Sequence, residues 1–322
     1  MDLIYTDADR VDQGVLHDYE LDIDLAKGKD FEIKTDVENA VMAIGSYWYI
    51  PDTEYGGRVD RIKVNTDTGE LIYGGRSWRG ILNTKVVSPP DGKSHRVLSG
   101  EWPEVVASLV DHCDLGDLFM ADSSVLTLDD WRVDRYVTLL AALTKILDSR
   151  QHRITLTWTG GKVVIGAIPI RDLTDTVQYE TSDRVHLIVE DNRGGVNHLI
   201  CLGQGEGVNR EVVHLYTTPT GAITELQQTF TGLEEVVATY ENTAADTRER
   251  LKNEGFQRLK ELRNGQTFSV SVEDYEVQIG DIVGGKERIT GISVAEKVTN
   301  IIYKIDKEGL PSIEYKVGEN AV

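Results

Sequence analysis

The chain has 322 residues and a formal charge of -20, with a pI near 4.7. At roughly 100 to 200 residues per domain the length allows two or three domains, and the acid excess disfavours capture of free nucleic acid or of an anionic membrane by charge alone. The two cysteines, Cys113 and Cys201, lie far apart, with neither a disulfide framework nor a metal-type spacing, and read as buried thiols.

The acid excess is concentrated at the start, where Asp2, Asp7, Asp9, Asp12, Asp18, Glu20, Asp22 and Asp24 face the single base Arg10 and read as a solvated face. "MDLIYTDADR" lacks the basic segment and apolar run of a secretion signal. The longest helical apolar run, "VTLLAALTKIL", is too short for a bilayer, so synthesis in a cytoplasm without stable membrane binding is expected.

Up to about residue 90, short β-prone runs alternate with turn signals. Val59, Ile62 and Val64 lead into "TDTG" and back through Leu71, Ile72 and Tyr73, a hairpin in which Gly69 supplies the positive φ. After Pro89 and Pro90 the period changes. Val105, Val106, Leu109, Val110 and Cys113 mark one helical face, with Pro103 in its first turn. Val133, Tyr136, Val137, Leu140, Leu143 and Leu147 predict a second helix, capped by Asp129 or Asp130. Both helices are expected to pack on the hairpin "RITLTWTGGKVVIGAIPI", which turns at Gly160 and Gly161.

A third helix is predicted near 244–263, with Ala244, Leu251, Gly255, Leu259 and Leu262 on one face, a Glu254–Arg258 pair, and Gly265 closing the end. The tail from "TFSVSVEDYEVQIGD" onward returns to alternating strands of the kind found in a small barrel or sandwich. The expected organisation is a β-rich region at 1–90, an α+β region at 91–185, and a second β-rich region at 186–322 that holds the third helix.

Catalytic templates fit poorly. "LICLGQGEGVNREVVHLY" has G-x-G-x-G between two strand-like runs, whereas a dinucleotide loop needs G-x-G-x-x-G before a helix. No G-x-x-x-x-G-K-[ST] occurs. The histidines (His17, His95, His112, His152, His186, His198 and His214) are scattered singly, and His112 beside Cys113 reads as helix-end packing. "DNRGG" and "DYEVQIGD" read as turns rather than calcium loops. Tyr47, Trp48 and Tyr49 suit a strand with core aromatics; a sugar-stacking platform is the alternative.

Three segments together resemble the tail hub proteins (tail-associated or baseplate hub) of long-tailed bacteriophages of the siphovirus type. The first is "GELIYGGRSWRGIL", with Gly75, Arg76 and Ser77 as the turn and Ile81 and Leu82 after it. The second is "GQGEGVNREVV", with Gly205, Glu206, Gly207 and Arg210. The third is the run from "RERLKNEGFQRLKEL" to the Gly-Asp turn at Gly280 and Asp281.

The resemblance implies a β-rich α+β fold with two small barrel-like domains and a helix-containing middle region. It further implies a homotrimeric ring at the tail tip of the virion, assembled in the host cytoplasm. Its implied partners are the distal tail protein, the tail tube, the tape measure protein and tip or receptor-binding proteins, with DNA only in transit. No cofactor and no catalytic residue is implied, and the chain stops at "YKVGENAV" where many such hubs continue into a hydrolase or fibre. The rival readings are a tail-tip cell-wall hydrolase or endopeptidase, and a carbohydrate-binding receptor module using Tyr47, Trp48 and Tyr49.

Overall fold

A computed structural model of the chain describes residues 2–26, 30–174, 185–191, 195–218, 222–226, 228–263, 266–272, 277–286 and 293–317. Two compact units result, the first from Met1–Leu187, Ser269–Lys286 and Ala295–Gly318, the second built on Ile188–Phe268. The β-rich α+β class expected from the sequence is observed.

The first unit is organised on a large sheet in which Asp12–Leu16, Leu3–Thr6, Tyr47–Tyr49, Gly56–Asn65, Glu70–Ser77, Asp30–Asp36, Glu20–Asp24, Ser293–Ile305 and Pro311–Val317 are successive neighbours. Alternation buries one face: Leu21, Ile23, Phe31, Ile33, Trp48, Val59, Leu71 and Tyr73 point inward. The predicted hairpin forms, with Asn65 opposite Glu70 and Gly69 at φ 72°. Its tip leaves the core, so Val64, expected on the apolar face, is exposed.

The C-terminal strand Ser293–Ile305 pairs with the N-terminal strand Glu20–Asp24, Tyr303 opposite Ile23. The opening residues and the tail therefore share one sheet, and the pairing crosses the bounds read at 90 and 185. Alternation reports which face of a strand is buried and carries no information on which distant strand completes its hydrogen bonds.

Among its described residues this unit has three α-helices: α1 (Trp78–Asn83), α2 (Trp102–His112) and α3 (Leu139–Asp148). Helix α2 buries Val105, Val106, Leu109 and Val110, with Pro103 in its first turn, as predicted. Together with α3 it packs on the hairpin of His152–Thr159 and Lys162–Pro169. Gly160 at φ 58° and Gly161 at φ 78° supply the two positive φ angles of the two-residue turn.

Helix α3 starts later than its apolar period predicts. Its cap is Thr138, whose hydroxyl accepts the amide hydrogen bond of Ala141 at 3.3 Å, not Asp129 or Asp130. Val133 ends the strand Thr127–Val133, Asp130 sits at φ 46° beside a bulge in that strand, and Tyr136 is exposed at φ 53°. A strand end followed by a turn presented apolar residues at the same three- and four-residue steps as a helix.

The second unit holds a sheet in the order Ile223–Thr224, Val212–Thr217, His198–Leu202, Val237–Glu241, its last pair parallel. Helix α4 (Arg248–Leu262), capped by Thr247, lays Leu251, Gly255 and Leu259 on Leu199, Cys201, Val213 and Leu215. Gly255 permits this approach, since a Cβ there would lie 2.3 Å from Cys201 Sγ.

Ala244 precedes the helix. The predicted Glu254–Arg258 pair is replaced by Arg250–Glu254 at 3.0 Å and Arg258–Glu261 at 2.7 Å. Gly265 lies outside the described residues. Both cysteines are free and buried, as expected, and burial pushes the Cys201 thiol up to about 11.

Candidate functional site

The three motif segments occupy three different environments. Asp281 is fully buried. Its Oδ1 accepts from Arg153 Nε at 2.9 Å and from the Arg171 amide at 3.3 Å. Its Oδ2 accepts from Arg171 Nη2 at 2.6 Å, Arg171 Nε at 3.1 Å and the Gln278 amide at 3.0 Å. Arg153 also donates to Gln278 Oε1. Burial pushes the Arg153 pKa down, and the Asp281 charge opposes it.

Gly280, at φ 98°, brings the backbone so close that a Cβ would stand 2.9 Å from Arg153 Cβ. The backbone continues the clasp: Ile282 N–H donates to Arg171 O at 2.9 Å and Leu173 N–H to Ile282 O at 2.8 Å. The Gly-Asp turn thus fastens the C-terminal strands to the hairpin that carries Arg153. Arg153 and Arg171 had no sequence signal, because two isolated arginines reveal no shared carboxylate.

Gly75, Arg76 and Ser77 are the end of the strand Glu70–Ser77 rather than a turn. The register shifts between Val59 and Arg61, which bulges Asp60 toward Arg76. The Asp60 carboxylate accepts from Arg76 Nε at 2.7 Å, Arg76 Nη2 at 2.9 Å, the Arg76 amide at 3.2 Å and Arg58 Nη1 at 2.6 Å. Burial raises the Asp60 pKa, but these hydrogen bonds outweigh it and hold the carboxyl below its ordinary value. A Cβ on Gly75 would lie 2.0 Å from Arg58 O, so the bulge itself demands glycine. Ser77 caps α1 by accepting from the Gly80 amide at 3.2 Å.

Gly205, Glu206, Gly207 and Arg210 form the connection from His198–Leu202 to Val212–Thr217, the strand-to-strand turn that the glycine spacing predicts. Gly205 at φ 96° and Gly207 at φ 55° need glycine's freedom, and the Gly203 amide donates to Glu211 O at 2.8 Å. Arg210 is held within its own chain, donating to Gly203 O at 3.2 Å and pairing with Glu241. Glu206 and the neighbouring Val208 are exposed.

No protein-family model and no curated protein sequence matches the chain. Solved structures do. It is similar to a tail protein from Neisseria meningitidis MC58, at 15% identity and a TM-score of 0.52 over 100% of this chain and 97% of the other. It is also similar to the 43 kDa tail protein of prophage MuSo2 from Shewanella oneidensis, at 12% identity and a TM-score of 0.55 over 99% and 98%. The chain has the fold of phage tail proteins.

Within this tail-protein fold the aromatic run is structural. Trp48 is fully buried and meets Phe31 edge-on at 4.8 Å. Tyr49 is buried against Trp158 at 5.3 Å, Trp158 stacks on Trp78 at 5.3 Å, and Tyr47 stacks on Trp78 at 6.3 Å and meets Trp158 tilted at 5.9 Å. A sugar cannot reach the Trp48 face, which corrects the alternative of a Tyr47–Trp48–Tyr49 platform.

Ser88 Oγ and His112 Nε2 lie 3.1 Å apart, the spacing of a nucleophile and its base. Arg96 Nη2 stands 3.0 Å from His112 Nδ1, where a carboxylate would orient and charge the ring. Burial, then the Arg96 charge, lowers the His112 pKa and weakens it as a base. His112 is the last residue of α2 and is held there by Ser88 and Arg96. Among the described residues no group of three or more His, Cys, Asp or Glu side chains is arranged to hold a metal ion, and no helix is long and apolar enough to cross a membrane.

Proposed function

We propose that the chain is a structural tail hub. Three copies form a ring at the distal end of a tail tube, dock on the distal tail protein, tube and tape measure protein, carry tip or receptor-binding proteins, and leave a passage for DNA. The observation that carries this reading is the fold likeness to two tail proteins over essentially the full length of all three chains.

Two features of the chain support it. The strand Asp12–Leu16 pairs with Leu3–Thr6 and ends the sheet, and among the described residues its outer edge meets no strand. The strand Val237–Glu241 ends the second sheet in the same way. Unpaired edges are satisfied when copies close a ring. The net charge of -20 suits a passage through which DNA slides without adhering. In this reading Glu206, exposed on its turn, faces a neighbouring subunit.

Electron microscopy of the purified protein, alone and with its distal tail protein, tests the proposal. Threefold rings with a central opening are expected. Dispersed monomers under both conditions would sink it. Glu206→Lys tests the turn separately, by loss of rings at unchanged thermal stability.

A further inference from the structure

One side-chain cluster in the second unit plays no part in the hub reading. His198 is buried, and its Nδ1 lies 2.6 Å from Glu235 Oε1. Its Nε2 lies 2.9 Å from His214 Nδ1, and the His214 ring is open to solvent. Tyr216 packs on His198 with ring centroids 4.5 Å apart. Glu235 Oε1 also accepts from Gln228 Nε2 at 2.6 Å.

With both rings neutral, the order of donors along these three side chains is fixed. A carboxylate only accepts, so His198 carries its hydrogen on Nδ1 and presents a lone pair at Nε2. That lone pair takes the Nδ1 hydrogen of His214, which leaves His214 Nε2 bare and facing outward. The strand Val237–Glu241 sets Val237 opposite His198, and Glu234 takes part through its carbonyl, which accepts from Asn197 Nδ2 at 2.6 Å. Glu235, His214 and Tyr216 are titratable side chains in contact with His198.

We propose that Glu235, His198 and His214 form a one-proton relay, which takes a first proton at His214 Nε2 with every hydrogen bond kept and releases His214 when a second proton reaches His198 Nε2. The first proton has one bare lone pair to occupy, and a cationic His214 still donates through Nδ1. The second sets N–H against N–H and cation against cation at 2.9 Å. His198 then remains on Glu235 as an ion pair, so the segment that bears Glu235 and the fully exposed Leu233 stays fastened to the sheet while His214 leaves. Burial, then the nearby His198, lowers the His214 pKa.

Ring-¹⁵N histidine NMR of the full chain, with each signal assigned by a His→Gln variant, tests the relay. At neutral pH both rings should be Nδ1–H tautomers, the rarer form in solution, and acid titration should show two steps separated by about one pH unit or more. Glu235→Ala should return His198 toward the Nε2–H form, and His214→Gln should make His198 titrate in one step. An Nε2–H tautomer at either ring in the wild-type protein, or a single shared midpoint for both, overturns the proposal. The wild-type spectra decide this even where a variant fails to fold.

Discussion

The Gly280–Asp281 turn and the Gly205–Arg210 turn look alike in sequence, each a glycine at positive φ with a charged residue close by, yet they differ in what surrounds the charge. Asp281 is fully buried against two arginines and two backbone amides. Glu206 stands in solvent, and Arg210 pairs with Glu241, which is 62% exposed. A charge taken out of water needs partners and is costly to strand, whereas one left in water is nearly free to change. The first turn therefore reads as part of the fold, and the second as a surface available to a neighbour.

The largest expected effect breaks the buried side. Asp281→Ala leaves Arg153 buried without its counter-charge and should cost about 3–5 kcal/mol, read from the urea midpoint of unfolding. A loss below about 1 kcal/mol would show that water or rearrangement satisfies the arginine and would erase the contrast between the turns.

Gly205→Ala sharpens the comparison by separating backbone from charge. A Cβ there meets Asn209 O at 2.5 Å at a φ of 96°, so about 2 kcal/mol of destabilisation is expected although the site is exposed. An unchanged melting temperature would mean the turn relaxes freely.

Arg76→Ala tests a carboxylate of intermediate burial and should cost about 1.5 kcal/mol at pH 7. The Asp60 pKa in the folded protein lies below its ordinary value, so its contribution is present above the ordinary carboxylate range and is lost as pH falls through the lowered value. Urea titrations in acid and at neutral pH should therefore converge for variant and wild type in acid; a constant gap would assign the loss to packing instead. The smallest effect belongs to Glu206→Lys, within about 0.5 kcal/mol in calorimetry.

Local chemistry was readable wherever neighbours in sequence decide the outcome. The Gly160–Gly161 turn, the buried face of α2 and the Gly69 turn follow from φ preferences and the 3.6 and 2.0 periods. The start of α3 was misplaced because Val133 buries from a strand at a spacing that a helix would also give. The catalytic templates failed in sequence for want of spacing. The structure adds two histidine clusters that no spacing reveals: His112 meets Ser88 and Arg96, while His198 meets His214 and Glu235.

By itself the sequence determined that the chain is β-rich with a helical middle, and where its tight turns and amphipathic faces lie, since these depend on residues a few positions apart. Only the tertiary structure decided that Glu20–Asp24 pairs with Ser293–Ile305 and that Asp281 meets Arg153 and Arg171. The physical reason is common to both. Strand edges and buried charges must be satisfied by some partner, but any strand edge or any arginine of suitable reach satisfies the local rule, and the choice is made by the packing of the whole unit.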